Sequence, residues 1–203
     1  LSLAILAMCL GSREASAASL KTHTAKHPTP LCANANLRPA PTNLAAVDTA
    51  TLCLLNRVRA ASHLHPLRFN APLQSVAAGQ AHDMVRGDYF GDNSLQGLTP
   101  MQRILTSGYS VHARSVQAAQ NIGWATGPLA TPAGMVRAWM QSPPHRAIIL
   151  TAAFRDIGVG VTAAAPSSLA RGLRGATYTL ELGERLLAIQ PPHRPTGLAQ
   201  ATR

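Results

Sequence analysis

Apolar positions along this chain recur with two different periods, and the change between them divides its elements. From Asp48, Thr51, Leu54, Leu55 and Val58 follow at helical spacing, which predicts a first helix from an Asp48 N-cap to about Ser62. The segment HPLRFNAP then sets Pro66 and Pro72 around a short extended stretch. Asn70 is placed to cap a second helix, with Pro72 in its first turn and Leu73, Val76, Ala77, Gln80, Ala81 and Met84 along one face, ending by Gly87. Thr99, Pro100 and Gln102 form a capping-box start for a short helix through Leu105, closed by Gly108. Thr131 and Pro132 repeat the cap-then-proline entry, and Met135, Val136, Trp139 and Met140 give the next helix an apolar stripe with Trp139 in the core. Pro143 and Pro144 end that helix and open a short turn carrying His145 and Arg146.

Beyond this point the period shortens. Ile157, Val159 and Val161 alternate with glycines, and Ala176 to Leu182 alternates likewise, as half-buried strands do. The intervening APSSLARGLRG reads as a solvent-facing loop, so a hairpin with a long connection is expected. Helices flanking a small antiparallel sheet, an α+β arrangement, are the simplest architecture. From Ala18 to Val47 the Ala, Thr, Pro and Asn content predicts an extended leader anchored at Cys32, and residues 185–203 read as a disordered tail.

The first ten residues, LSLAILAMCL, are too short an apolar run to span a bilayer, which takes about 20 residues. They read as the h-region of a signal peptide over residues 1–17, with Ala15, Ser16 and Ala17 as the small-residue cleavage site and the charged n-region expected upstream of Leu1. Met8 before Cys9 departs from a lipobox, so lipidation of Cys9 is not expected. Export leaves Cys32 and Cys53 as a pair, for which an oxidising compartment favours a disulfide.

Aromatic residues are only 4% of the chain, so alanine and aliphatic side chains supply most of the core. The net charge of +10 favours anionic surfaces such as the cell envelope, while the absence of a basic cluster with interleaved aromatics argues against specific nucleic-acid binding. Ser115 near His112 lacks an ordered acid and a nucleophile elbow, which argues against serine hydrolysis. His82, beside the apolar face of the second helix, is expected to be buried and hydrogen-bonded.

Five stretches, in order, resemble the bacterial branch of the CAP (SCP) superfamily of extracellular domains: TLCLLNRVRAASHLHPLRFN, AGQAHDMVRGDYFGDNSLQG, AQNIGWATG, WMQSPPHRAIILTAAFRDIGVGV and GATYTLELGE. The fourth is the most specific, with Trp139, Met140, Ser142, Pro143, His145, Arg146, Ile149 and Leu150 at the family's W-M-x-S-P-G-H-R-x-N-I-L spacing. The resemblance covers Asp48 to Glu184 and implies a three-layer α-β-α sandwich over residues 48–184.

The resemblance also implies a cleft where two histidines and two acidic residues hold a divalent metal, commonly zinc. This sequence departs from that set. His145 stands at the second histidine, but Asp92 takes the place of the first, Gln120 that of the G-E-N glutamate, and Ser142 that of the other acid. An amide is no general base and a poor zinc ligand beside a carboxylate. No cofactor and no catalytic residue are therefore expected, zinc being at most weakly held by His145 and Asp92. His145 is expected to hydrogen-bond across the cleft to Gln120 or Asp92. The expected function is a secreted binding or envelope-associated module, monomeric, with Asp92, Gln120, Trp124, Trp139, Ser142 and His145 lining a cleft for a small or lipid-like ligand. The alternatives are a metal-dependent hydrolase or protease using Asp92 and His145, and a purely structural wall- or spore-associated protein.

Overall fold

The computed structural model describes residues 32–187. The expected signal peptide, its cleavage site, Cys9 and the leader before Cys32 lie outside the described residues, as do residues 188–203 of the expected tail. Among the described residues, no helix is long and apolar enough to cross a membrane.

Helix α1 spans Leu44–Ala61 and starts one turn before the expected Asp48 cap. Its buried face runs through Val47, Ala50, Thr51, Leu55 and Arg59. Leu44 and Val47 pack into the core, so burial extends the helix backward past the polar residue that looks like a cap. Asp48 instead lies within α1 and accepts from Gln74 Nε2 at 3.0 Å. Cys32 anchors the segment before α1 through its bond to Cys53, as expected, and is not its sole anchor: Ala133 N donates to Ala35 O at 2.8 Å. Asn43 ties its own turn together, accepting from Ala40 N and donating to Arg38 O.

Strand β1, Arg68–Phe69, leads into α2, Ala71–Arg86, where Asn70 caps Leu73 N as its position predicts. Helix α3, Pro100–Thr106, carries the full Thr99–Gln102 capping box. Strand β2, Ala113–Thr126, follows, then a 3-10 turn at Gly127–Ala130, α4 at Pro132–Gln141 and α5 at Pro143–Ile149. Strand β3, Asp156–Thr162, the short α6, Ser167–Ala170, and β4, Gly175–Leu187, complete the order. The hairpin with a long connection is thus β3 and β4, with one helical turn inside the loop. Arg185, Leu186 and Leu187, expected in a tail, continue β4 because β2 offers them partners back to Ala113.

The sheet runs β1-β3-β4-β2 and is mixed rather than wholly antiparallel: β4 pairs antiparallel with β2 and β3, whereas β1 joins β3 in parallel. Successive strand residues face opposite sides, so each register pair places its residues on one face. One face carries Leu180, Leu182, Tyr178, Ile157 and Val159 into the main core with α1 and α4. Trp139 of α4 donates Nε1 to Ile122 O at 3.0 Å and meets Tyr178 edge-on at 6.2 Å.

The other face is covered by α2, which corrects the half-buried reading of both strands: Gly158 to Val161 and Ala176 to Gly183 are buried throughout. Gly158 and Gly160 exist for this contact, since a Cβ at either would collide with the α2 backbone at Leu73 or Ala77. Gln74 of α2 also finishes the strand edge beyond β1, accepting from Val159 N at 2.9 Å and donating to Val159 O at 2.5 Å. Helices on both faces of a small sheet give the three-layer α-β-α sandwich.

Candidate functional site

The loop from Asp88 to Thr99 crosses the mouth between α2, α3 and the edge strand β2, and three side chains hold it there. Gln80 of α2 donates to Gly91 O at 2.9 Å, and Asp83 accepts from Tyr89 OH at 2.8 Å. From α3, Arg103 donates to Leu98 O at 2.6 Å and to Asp92 O at 2.9 Å. The capping box fixes the start of α3 and so aims Arg103 inward, where its side chain is only 12% exposed.

The loop walls two cavities. One of about 440 Å³ is lined by Asp92, Asn93, Thr99, Pro100, Met101 and the β2 run Ala118 to Gln120. The second, of about 370 Å³, lies between α2, α3 and the loop, with Gln80, Asp83, Ser94, Leu98 and Arg103 in its wall.

Behind Gln120 stands a residue that the sequence pattern alone did not single out. Glu181 of β4 is fully buried and registers directly with Gln120, whose Nε2 donates to Glu181 Oε1 at 2.6 Å. Arg103 Nη2 lies 3.9 Å from the same oxygen. Burial raises the carboxyl's affinity for its proton, and this outweighs the opposing Gln120 amide and Arg103 guanidinium, so its pKa is pushed up to about 8. A carboxylate between two leucines, LEL, was the signal available in the sequence; it shares its parity with the buried Thr177 and Thr179 and so faces α2 with them.

Of the predicted site residues, Asp92 and Gln120 line one cavity. Asp92 is exposed on the loop, and Gln120 and Trp124 are half-buried on one face of β2. Trp139, expected in the cleft as well as the core, is core alone at 2% exposure. His145 makes neither expected cross-cleft bond; its Nδ1 lies 2.7 Å from Ser142 Oγ, which consequently gives α5 no side-chain cap. The physical reason is strand parity: Asn121, on the opposite face of β2 from Gln120, donates to His145 O at 3.1 Å. His82 is exposed on α2, not buried, because Ala81 and Met84 rather than its own position face the sheet. Among the described residues, no three His, Cys, Asp or Glu side chains converge closely enough to hold a metal ion.

The sequence profile of a family described as CAP, cysteine-rich secretory protein family, matches residues 52–169. The uncharacterized protein YkwD of Bacillus subtilis (strain 168) is 33% identical over 121 residues, which cover 60% of this chain and only 44% of YkwD. Two solved structures share the fold. An extracellular protein containing a SCP domain from Bacillus anthracis superposes with a TM-score of 0.54 at 21% identity, over 72% of this chain and 44% of that one. An outer surface protein from Borrelia burgdorferi does so with a TM-score of 0.51 at 20% identity, over 66% of this chain and 90% of that one.

Proposed function

Because this chain belongs to the cysteine-rich secretory protein (CAP) family, we propose that it is an extracellular binding module whose ligand site is the cavity between α3 and β2, and that it performs no catalysis. The observation that carries this reading is the Gln120–Glu181 contact. At the centre of the cleft stands an amide bound to a buried carboxyl that stays protonated near neutral pH, so neither group serves as an ionised base. Zinc fits this donor set poorly. Gln120 is committed to Glu181, and among the described residues no three His, Cys, Asp or Glu side chains converge, the least that a firm zinc site needs.

What the cavity offers is a binding surface. Its volume of about 440 Å³ is of the size that holds a small ligand, with Pro100, Met101, Ala118 and Ala119 as apolar wall and Asn93, Thr99 and Gln120 as polar groups that orient it. The excess of arginine supplies long-range attraction to an anionic envelope.

Zinc titration of the purified protein by calorimetry, with hydrolytic assays alongside, tests the reading. The expected result is no submicromolar, His145-dependent affinity and no turnover. Tight zinc binding together with an activity abolished by Asp92→Asn and by His145→Ala overturns it.

A further inference from the structure

Two buried oxygens at the Gln120–Glu181 contact have no partner, Gln120 Oε1 and Glu181 Oε2. Both belong to planar groups already joined through their other ends by the 2.6 Å bond from Gln120 Nε2 to Glu181 Oε1. A single proton satisfies both. Carried on Glu181 Oε2, it makes the carboxyl a donor, and a carboxylic acid and a primary carboxamide then match as a flat cyclic pair. An ionised carboxylate would instead leave a buried charge beside a second acceptor.

The groups around Glu181 determine how the site responds when that proton leaves. Facing it are Gly158 of β3, which brings no side chain, Gln120 of β2 and Arg103 of α3. Asp92, on the loop, disfavours the charge. Of the α2 groups near this face, Gln80 is turned to the loop and Asp83 is bonded to Tyr89, so Arg103 is the cation at hand. Arg103 Nε is itself buried without a partner, while its Nη atoms hold the carbonyls of Leu98 and Asp92.

We propose that Glu181 holds a proton on Oε2, donated to Gln120 Oε1, and that loss of this proton to solvent releases a latch on the loop that walls both cavities. The new carboxylate draws in the Arg103 guanidinium, already 3.9 Å away, which gives up its bonds to Leu98 O and Asp92 O. The loop then keeps the bonds of Gln80 and Asp83, and that of Asp88 to Ser168 at its start, but loses its tie to α3 through Arg103. In the acid form the loop wall is fixed in place, and in the ionised form it loosens. Burial, which pushes the carboxyl up to about 8, places the change at mildly alkaline pH.

Nuclear magnetic resonance on the whole chain tests this, with a chelator present. The side-chain carboxyl carbon of Glu181 is expected to titrate with a midpoint above about 7, far from the ordinary carboxyl range. The Gln120 side-chain amide, and the backbone amides of Asn93 and Thr99 next to the two released carbonyls, shift with the same midpoint. In Glu181→Gln those shifts vanish over that range. A Glu181 midpoint below about 5 overturns the proton, and a titrating Glu181 with unmoved Asn93 and Thr99 overturns the latch. Both outcomes are read in the wild-type chain, so a variant that fails to fold does not shield the proposal. Control of ligand access rests on the proposed binding cleft, but the titration does not: a latch that titrates beside a cavity that binds nothing refutes only the former.

Discussion

Among the described residues, no carboxylate lies within ion-pair distance of the buried Arg59, and replacing it tests how much main-chain carbonyls gathered on one guanidinium stabilise the fold. Its guanidinium donates to His65 O at 2.9 Å, Ile149 O at 2.7 Å, Thr151 O at 3.0 Å and Phe154 O at 3.0 Å. Ile149 closes α5, so part of the charge sits on the negative end of a helix. Through these bonds one side chain of α1 fastens the entire connection from α5 to β3. Arg59→Met keeps most of the volume and removes every donor. Each carbonyl left buried without a partner costs about 1–3 kcal/mol, while removing the charge recovers several kcal/mol of desolvation. With four carbonyls stranded against one recovered desolvation, the unpaired carbonyls dominate, and we expect a net loss of about 2–4 kcal/mol. Urea unfolding with a shared m-value reads the difference, and hydrogen exchange at Thr151 to Phe154 locates it. Arg59→Lys, keeping the charge but not the fan of donors, falls between. A loss under about 1 kcal/mol for Arg59→Met, with m unchanged, refutes the reasoning.

Other consequences arise from the same packing. Asp48, pushed up to about 7, and Glu181, to about 8, both bind protons more tightly folded than unfolded, so their stabilising effect is complete below their ordinary range near 4 and is lost as pH rises through 7 and 8. Unfolding free energy is expected to fall from pH 5 to 8 by at most about 1.4 kcal/mol per pH unit per group, and Glu181→Gln removes one group's share throughout and the remaining fall above about pH 7; urea midpoints that rise over this range contradict it. Gly158→Ala or Gly160→Ala forces α2 off the sheet and costs at least about 1–3 kcal/mol in thermal unfolding, whereas Gly79→Ala, with open space around its Cβ, does not. Reducing the Cys32–Cys53 bond, whose partners are 21 residues apart, lowers stability by about 3 kcal/mol in the chain-entropy treatment, measured as a drop in Tm with reductant. Attachment to anionic vesicles through the arginines is expected to weaken steeply with salt in co-sedimentation, and salt-independent attachment argues for another mode.

Much of the fold was legible because its signals are local. Asn70, Thr99 with Gln102, and Thr131 cap the helices they were expected to cap, since a side chain meets a main-chain NH only two or three residues away. Strand β2 was not legible: ARSVQAAQNIGWAT alternates weakly, because this edge strand owes its place to β4 rather than to an apolar face of its own. Asp48 looked like a cap because a polar residue before an apolar run does, and only the packing of Leu44 and Val47 shows that the helix starts earlier.

The candidate site divides along the same line. Asp92, Gln120 and His145 stood out in the chain through the residues around them, and the even pair of cysteines marked its own bond. What the chain alone could not show is that Gln120 meets Glu181, separated from it by 61 residues, and that His145 turns to Ser142 instead. Caps, proline entries and cysteine count are set by neighbours along the backbone. Which residue faces which across a sheet depends on register and on the helix laid over it, and a shift of one position would send Glu181 to the opposite face.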